Sequence, residues 1–182
     1  VNLINQGKPT IIENDIDEII REEFEKGRIS ATCDYEQAIL NSELSIICVG
    51  TPSTNNGHLN LTYIEKVAAE IGEAIAKKDD FHIVAIRSTV LPGTNEKVGR
   101  IIGETSGRRR NEGFTVVSNP EFLREGTAVY DYYHPAITVL GGDHRPSLEK
   151  MSDIYRELEA PIELVDIRVA EMIKYVSNAF HA

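Results

Sequence analysis

Apolar positions along this chain fall into two alternating patterns, one recurring at helical spacing and one running continuously. Ile16, Ile19, Ile20 and Phe24 recur every turn, with Asn14 able to cap the start and Gly27 able to end it, which predicts a helix over 15–26. A shorter helix fits 35–41. Residues 44–49 are a continuous apolar run closed by Gly50, Thr51 and Pro52, the signature of a strand buried on both faces. The polar stretch 53–60 reads as a loop. Tyr63, Val67, Ile71 and Ile75 predict a helix over 62–77, residues 81–86 a second buried strand, and Pro92 with Gly93 a turn that opens a helix over 94–104. Short strands are predicted at 115–118, 136–140 and 162–165, with a helix over 145–158 before the last. Val169, Met172, Ile173, Val176 and Phe180 then share one helical face from about 167 to 182, with no stop signal.

Strand and helix alternate throughout, and a parallel connection needs a crossover long enough to hold a helix. The pattern therefore predicts a doubly wound α/β domain, a parallel sheet with helices on both faces, over 1–165. The helix from 166 to 182 would begin a further unit. In such sheets ligands bind beyond the carboxyl ends of the strands, which directs attention to 50–53, 87–94 and 119–126.

A length of 182 residues, 41% hydrophobic and 26% charged, suits one globular domain. The chain starts at Val1 and ends within an apolar-periodic stretch, so it is expected to be a piece of a longer protein. The net charge of -10 repels a phosphate backbone, and the run Arg108, Arg109, Arg110 after Gly107 reads as a solvated turn, so nucleic acid is not an expected partner. Cys33 and Cys48 lack metal-type spacing, and Cys48, within an apolar run, is expected to pack as a small hydrophobe. His134 and His181 are isolated, so no metal site is expected. No stretch approaches the roughly 20 apolar residues of a membrane span. A soluble protein of the reducing cytoplasm is the expectation, with no membrane partner.

Three constellations carry chemistry. Glu121 and Glu125 lie in NPEFLREG at 119–126, where Pro120 fixes the backbone after a strand and Gly126 permits an unusual turn. A carboxylate held there beside Phe122 and Leu123 can serve as a general base; the plainer reading is two solvent-facing glutamates at a helix start. Lys174 and Asn178, four apart, share a helix face and can donate to one oxyanion, or can simply be its wet side. Ser88 and Thr89 end a buried strand and present hydroxyls at the ligand edge, where holding a ribose or a water and capping a helix are equally open roles. Gly50, Thr51 and Pro52 have the same status. No Gly-x-Gly-x-x-Gly, P-loop or zinc spacing occurs.

Together, CVGTP at 48–52, RSTVLPGT at 87–94, NPEFLREG at 119–126 and AEMIKYVSN at 170–178 resemble the UDP-glucose/GDP-mannose dehydrogenase family, in order and spacing along nearly the whole chain. The resemblance implies a Rossmann-like fold and NAD-dependent four-electron oxidation of a nucleotide sugar at C6 to the uronate. It implies Glu121 as acid/base for hydrolysis of a thioester, Lys174 and Asn178 as oxyanion donors, and Thr89 as an aid to orienting water. It puts Thr51, Pro52, Ser88, Thr89 and Glu125 against NAD, and Glu121, Phe122, Leu123, Lys174 and Asn178 against the sugar nucleotide. A homodimer through the helix starting near 167 is also implied. The family's opening strand with its Gly-rich loop is expected before Val1 and its nucleophilic cysteine beyond Ala182. Neither Cys33 nor Cys48 matches that cysteine, so the chain alone is expected to be inactive. IYRELEAPI at 154–162 and AITVLG at 136–141 resemble the GDP-mannose members more than the UDP-glucose members.

Two other readings are set against this one. Two-electron β-hydroxyacid dehydrogenases also pair a Lys with an Asn four residues on, but lack the glutamate loop and have a Gly-rich stretch where 166–173 has none. A non-catalytic binding or assembly module has no use for an acid/base and oxyanion donors around one volume.

Overall fold

The computed structural model describes residues 1–54 and 56–181. Asn55, in the stretch read as a loop, and Ala182, in the expected last helix, lie outside the described residues, as does the side chain of His181. Five strands, β1 (Leu44–Ile47), β2 (His82–Ile86), β3 (Phe114–Ser118), β4 (Thr138–Gly141) and β5 (Ile162–Val165), form one sheet in that order. Every residue of β2 and β3 is buried, including the polar His82, Thr115 and Ser118. β1 pairs with β2, β2 with β3 and β4 with β5 in parallel.

The sheet is not wholly parallel, however. β4 runs antiparallel to β3, paired through Ser118 and Gly141. A parallel return would need a helix running back along the sheet. The connection holds only the six-residue α5 (Ala128–Tyr133), so the chain enters β4 from the end at which it left β3.

The remaining helices are α1 (Ile16–Glu25), α2 (Tyr35–Leu40), α3 (Thr62–Ile75), α4 (Thr94–Ser106), α6 (Arg145–Ile154) and α7 (Ile167–His181). Asp15, not Asn14, precedes α1, and it makes no side-chain cap. Asp34 does cap α2, accepting from the Gln37 amide at 3.0 Å. α6 ends at Ile154, short of the expected 158.

Alternation along β2 divides the core into two layers. Val84 and Ile86 join Ile64, Ile71, Ile75, Val98 and Ile102 of α3 and α4 on one face. Ile83 and Ala85 meet Leu148 and Met151 of α6 on the other. α7 lies close against β4: a Cβ on Gly141 would come within 2.4 Å of the Ala170 Cβ, so only glycine admits the helix to this depth.

Two surface expectations change. Cys48 is exposed rather than packed, because it follows edge strand β1, where Ile46 is exposed as well. The arginine run is not a solvated turn: Arg110 pairs with Asp143 at 2.8 Å and Arg108 donates to the Lys78 carbonyl in the turn between α3 and β2, which leaves Arg109 as the exposed member. Among the described residues, no helix is long and apolar enough to cross a membrane.

Candidate active site

The site is built where the chain leaves β2 and β3. Asn119 is buried, and its backbone amide donates to the Ile86 carbonyl at 2.9 Å while Nδ2 donates to the Val139 carbonyl at 3.2 Å. Its Oδ1 accepts from Arg87 Nη1 at 3.2 Å and from the Tyr155 hydroxyl. Burial raises the Tyr155 phenol above its ordinary pKa. This network fixes the start of the loop, and Glu121 follows two residues later.

Glu121 is half-buried, and its two oxygens have different tasks. Oε1 lies 3.1 Å from Lys174 Nζ, and Oε2 accepts from the Leu123 amide at 2.7 Å. Lys174 is 8% exposed, and its ammonium stands 5.4 Å from the centre of the Phe122 ring, a cation–π contact on its apolar side. Asn178, one turn further along α7, faces the same volume. Arg87, Glu121, Phe122, Leu123, Lys174 and Asn178 all line one cleft of about 650 Å³. The two constellations read separately from the sequence are thus one site.

Two contacts that the sequence reading missed hold the loop. Asp131 of α5 accepts from the Arg124 amide at 2.9 Å, from Arg124 Nε at 3.0 Å and Nη2 at 2.6 Å, and from Thr127 Oγ1 at 3.0 Å. These bonds, Arg124 foremost, hold its carboxyl well below the usual carboxylate range. Gly126, at φ 82°, turns the chain, and its amide donates to Glu13 Oε1 at 2.7 Å, with the Ala128 amide 3.3 Å from Glu13 Oε2. The Arg124–Asp131 pair spans a glycine turn and was legible as opposite charges across it. Glu13 is more than a hundred positions away and gives no local signal.

Thr51, Ser88 and Thr89 sit beside this cleft rather than in it, on the loops after β1 and β2. Thr51 Oγ1 donates to the Thr89 carbonyl at 2.9 Å, and Ser88 Oγ donates to the Val49 carbonyl at 2.7 Å. The Ser88 hydroxyl is therefore not a free donor at the sheet edge as expected: its hydrogen clamps the two loops together. Pro52 and Glu125 are exposed.

Sheet order, connections and a ligand cleft at the carboxyl ends of the central strands define a Rossmann-like α/β domain. Residues 1–159 match the NAD binding domain of the UDP-glucose/GDP-mannose dehydrogenase family, and the chain belongs to that family. It is 48% identical to the GDP-mannose 6-dehydrogenase of Pseudomonas aeruginosa, matching over 100% of its own length and 42% of that protein's. The GDP-mannose 6-dehydrogenase of Azotobacter vinelandii is 46% identical over the same shares, and the UDP-glucose 6-dehydrogenase of Haloferax volcanii 38% over 98% and 43%. A crystal structure of a ternary complex of the Pseudomonas aeruginosa GDP-mannose dehydrogenase superposes with a TM-score of 0.97 at 47% identity, again covering 100% and 42% of the two chains. This chain therefore spans about two fifths of the length of the relatives it matches.

The described residues fit part of NAD. A Cβ built on Gly50 meets no atom within 4 Å, so the loop after β1 is open to a ligand, and the clamped pair of loops offers backbone amides and hydroxyl oxygens without charge. Hydroxyl oxygens whose hydrogens are already used remain acceptors, which suits the ribose hydroxyls of a dinucleotide. No Gly-rich loop that would cradle the pyrophosphate lies among these residues.

Proposed function

We propose that the full-length protein carries out NAD-dependent four-electron oxidation of a nucleotide sugar at C6, with GDP-mannose the favoured substrate and UDP-glucose the next. The observation that carries this reading is the 3.1 Å Glu121–Lys174 pair in a cleft large enough for a sugar nucleotide. Relatives named GDP-mannose 6-dehydrogenase are 45–48% identical to the chain, against 38% and 36% for those named UDP-glucose 6-dehydrogenase, which favours the first sugar.

In this reading NAD, when bound, supplies a hydride acceptor in each of two oxidations; the loops carrying Thr51, Pro52, Ser88 and Thr89, with Glu125, would hold it. Lys174 and Asn178 donate to the C6 oxygen as negative charge develops there. Electrostatic stabilisation of this kind is often the largest catalytic contribution. Glu121 takes the proton of the attacking water in the hydrolytic step, with its second oxygen held by the Leu123 amide so that the carboxylate stays aimed. Thr89 assists in orienting that water. Phe122 and Leu123 wall the cleft against the sugar nucleotide.

The balance is one primary alcohol, one water and two NAD consumed, and one carboxylate, two NADH and three protons produced. We further place the protein in the cytoplasm, where exposed Cys33 and Cys48 remain thiols. We assign residues 1–165 to part of the NAD-binding domain and 166–182 to the start of a dimerisation helix, and expect the chain alone to be inactive.

The test is NADH formed by the full-length protein on limiting GDP-mannose and, in parallel, limiting UDP-glucose. Two NADH per sugar establish the four-electron reaction and name the substrate. One NADH per sugar points to a two-electron dehydrogenase, and none from either sugar overturns the enzymatic reading.

A further inference from the structure

Glu171 is 2% exposed, and the catalytic reading gives it no task. Its Oε2 accepts from the Gly93 amide at 2.7 Å, and its Oε1 accepts from the Asn95 amide at 2.8 Å and from Asn95 Nδ2 at 2.6 Å. These donors open α4, where the first backbone amides have no partner within the helix and where the helix dipole favours an anion. Such a cap ordinarily comes from the residue before the helix. That residue is Gly93, which has no side chain, so the carboxylate arrives from α7, 78 positions away.

α7 is pinned to α4 a second time one turn earlier, where Arg168 Nε and Nη2 each lie 2.8 Å from an oxygen of Glu96. Glu171 stands one turn before Lys174 on the same helix. Gly93 stands four residues after Thr89. One buried carboxylate therefore joins the turn carrying Ser88 and Thr89 to the helix carrying Lys174 and Asn178.

We propose that Glu171 is a positioning residue for the reaction: by seating α7 on the start of α4, it sets where Lys174 and Asn178 stand relative to the cofactor-side turn. The inference rests on the reading of Lys174 and Asn178 as donors to the reacting oxygen. Glutamine in place of Glu171 keeps the shape but turns an NH₂ toward either the Gly93 or the Asn95 amide, so one donor faces another. α7 then withdraws, and the 3.1 Å contact between Lys174 and Glu121 loosens. Misplacement of a reacting group by about 1 Å slows turnover on the order of 100-fold. The walls of the cleft remain, so binding changes little.

The experiment compares full-length wild type with Glu171→Gln, Asn95→Ala, Lys174→Ala and the Glu171→Gln/Lys174→Ala double variant. It reads kcat, both KM values and the thermal midpoint. Glu171→Gln is expected to lower kcat about 10- to 100-fold while both KM values stay within about 3-fold. In the Lys174→Ala background the same change is expected to lower kcat several-fold less than in wild type, because one of the two groups it positions is gone and only Asn178 remains. Asn95→Ala removes one of the three bonds and is expected to lower kcat less, in the same direction; it carries the comparison if Glu171→Gln does not fold.

Losses that multiply in the double variant, or a fall in kcat that comes with a lower midpoint and raised KM values, would show a purely structural cap and overturn the proposal. An unchanged kcat in both Glu171→Gln and Asn95→Ala overturns it too. If wild type itself oxidises neither sugar, the functional reading fails and takes this one with it. If wild type turns over and Glu171→Gln matches it, only the role of Glu171 fails.

Discussion

Glu121 and Lys174 stand 3.1 Å apart, so in the proposed reaction the role of each depends on the other. Removing the ammonium leaves a half-buried carboxylate without its counter-charge and takes away a charged donor facing the cleft. Lys174→Ala in the full-length protein is therefore expected to lower kcat about 100- to 1,000-fold, and Glu121→Gln by about 100-fold or more. KM for NAD should stay within about 3-fold in both, since neither residue lies on the cofactor-side loops. Steady-state kinetics decide it: a raised KM with an unchanged kcat would make the pair a binding element only. A second residue-scale prediction concerns stability. His82 is fully buried, with Nε2 2.8 Å from Ser45 Oγ and Nδ1 3.3 Å from Lys78 Nζ. An ammonium only donates, so Nδ1 must accept and Nε2 carries the hydrogen. Protonating Nδ1 would set two cations face to face, and burial with the Lys78 charge lowers the imidazole pKa from 6.5 to about 4. The unfolded chain therefore binds the extra proton first. Stability is fully present above pH 6.5 and falls as pH drops toward 4, by about 3 kcal/mol at most. Urea melts between pH 4 and 8 should show that slope, and His82→Gln should flatten it; an equal slope in the variant would assign the loss to other groups.

At the scale of elements, the contact between α7 and β4 controls the site from behind. Gly141→Ala would place a methyl 2.4 Å from the Ala170 Cβ and 3.0 Å from the Ile167 Cα, so the helix must move outward. Overpacking of this kind destabilises by about 1–3 kcal/mol. The outward shift also draws Lys174 from Glu121, so kcat should fall along with the melting midpoint. Gly141→Ala/Ala170→Gly removes the closer contact but leaves the Ile167 Cα, so it should recover part of the activity; no recovery at all would mean that the Ala170 contact is not what displaces α7. How legible each element was in the sequence follows from the same packing. β2 is buried on both sides, and its largely apolar run announces it, whereas Thr115 and Ser118 conceal the equal burial of β3. β4 was found as a strand, but its direction depends on the length of the connection around it, which no residue pattern states. α5 was missed because the tyrosines of its six residues have no apolar period. Glu121, Lys174 and Asn178 were found because their loop and helix are local patterns. Glu171 was not, because a carboxylate on an amphipathic helix reads as wet until a distant helix start is seen above it. Glu13 and Cys48 escaped for the same reason: both depend on what lies beside them in space.

Over the whole molecule, charge and apolar surface are distributed in a way that bears on assembly. The chain's net charge of -10 disfavours self-association at long range, so apolar contact is one short-range contribution that would offset it. Among the described residues, two of the exposed apolar surfaces lie on regular elements of the sheet domain. One is edge strand β1, where Ile46 is 41% exposed and one side of the strand has no partner among the described strands. The other is the outer face of α7, where Val169, Met172 and Val176 are 45%, 48% and 59% exposed at helical spacing. Fully burying such side chains stabilises by about 1.5–3 kcal/mol each, and a two-fold axis through one helix face counts every residue twice. The proposed homodimer through α7 therefore predicts that Met172→Asp/Val176→Asp in the full-length protein shifts its mass in sedimentation equilibrium from dimer to monomer. Neither residue lines the cleft, so each separated subunit should still bind nucleotide sugar. A variant that stays dimeric would place the interface elsewhere and leave this face to another part of the same chain.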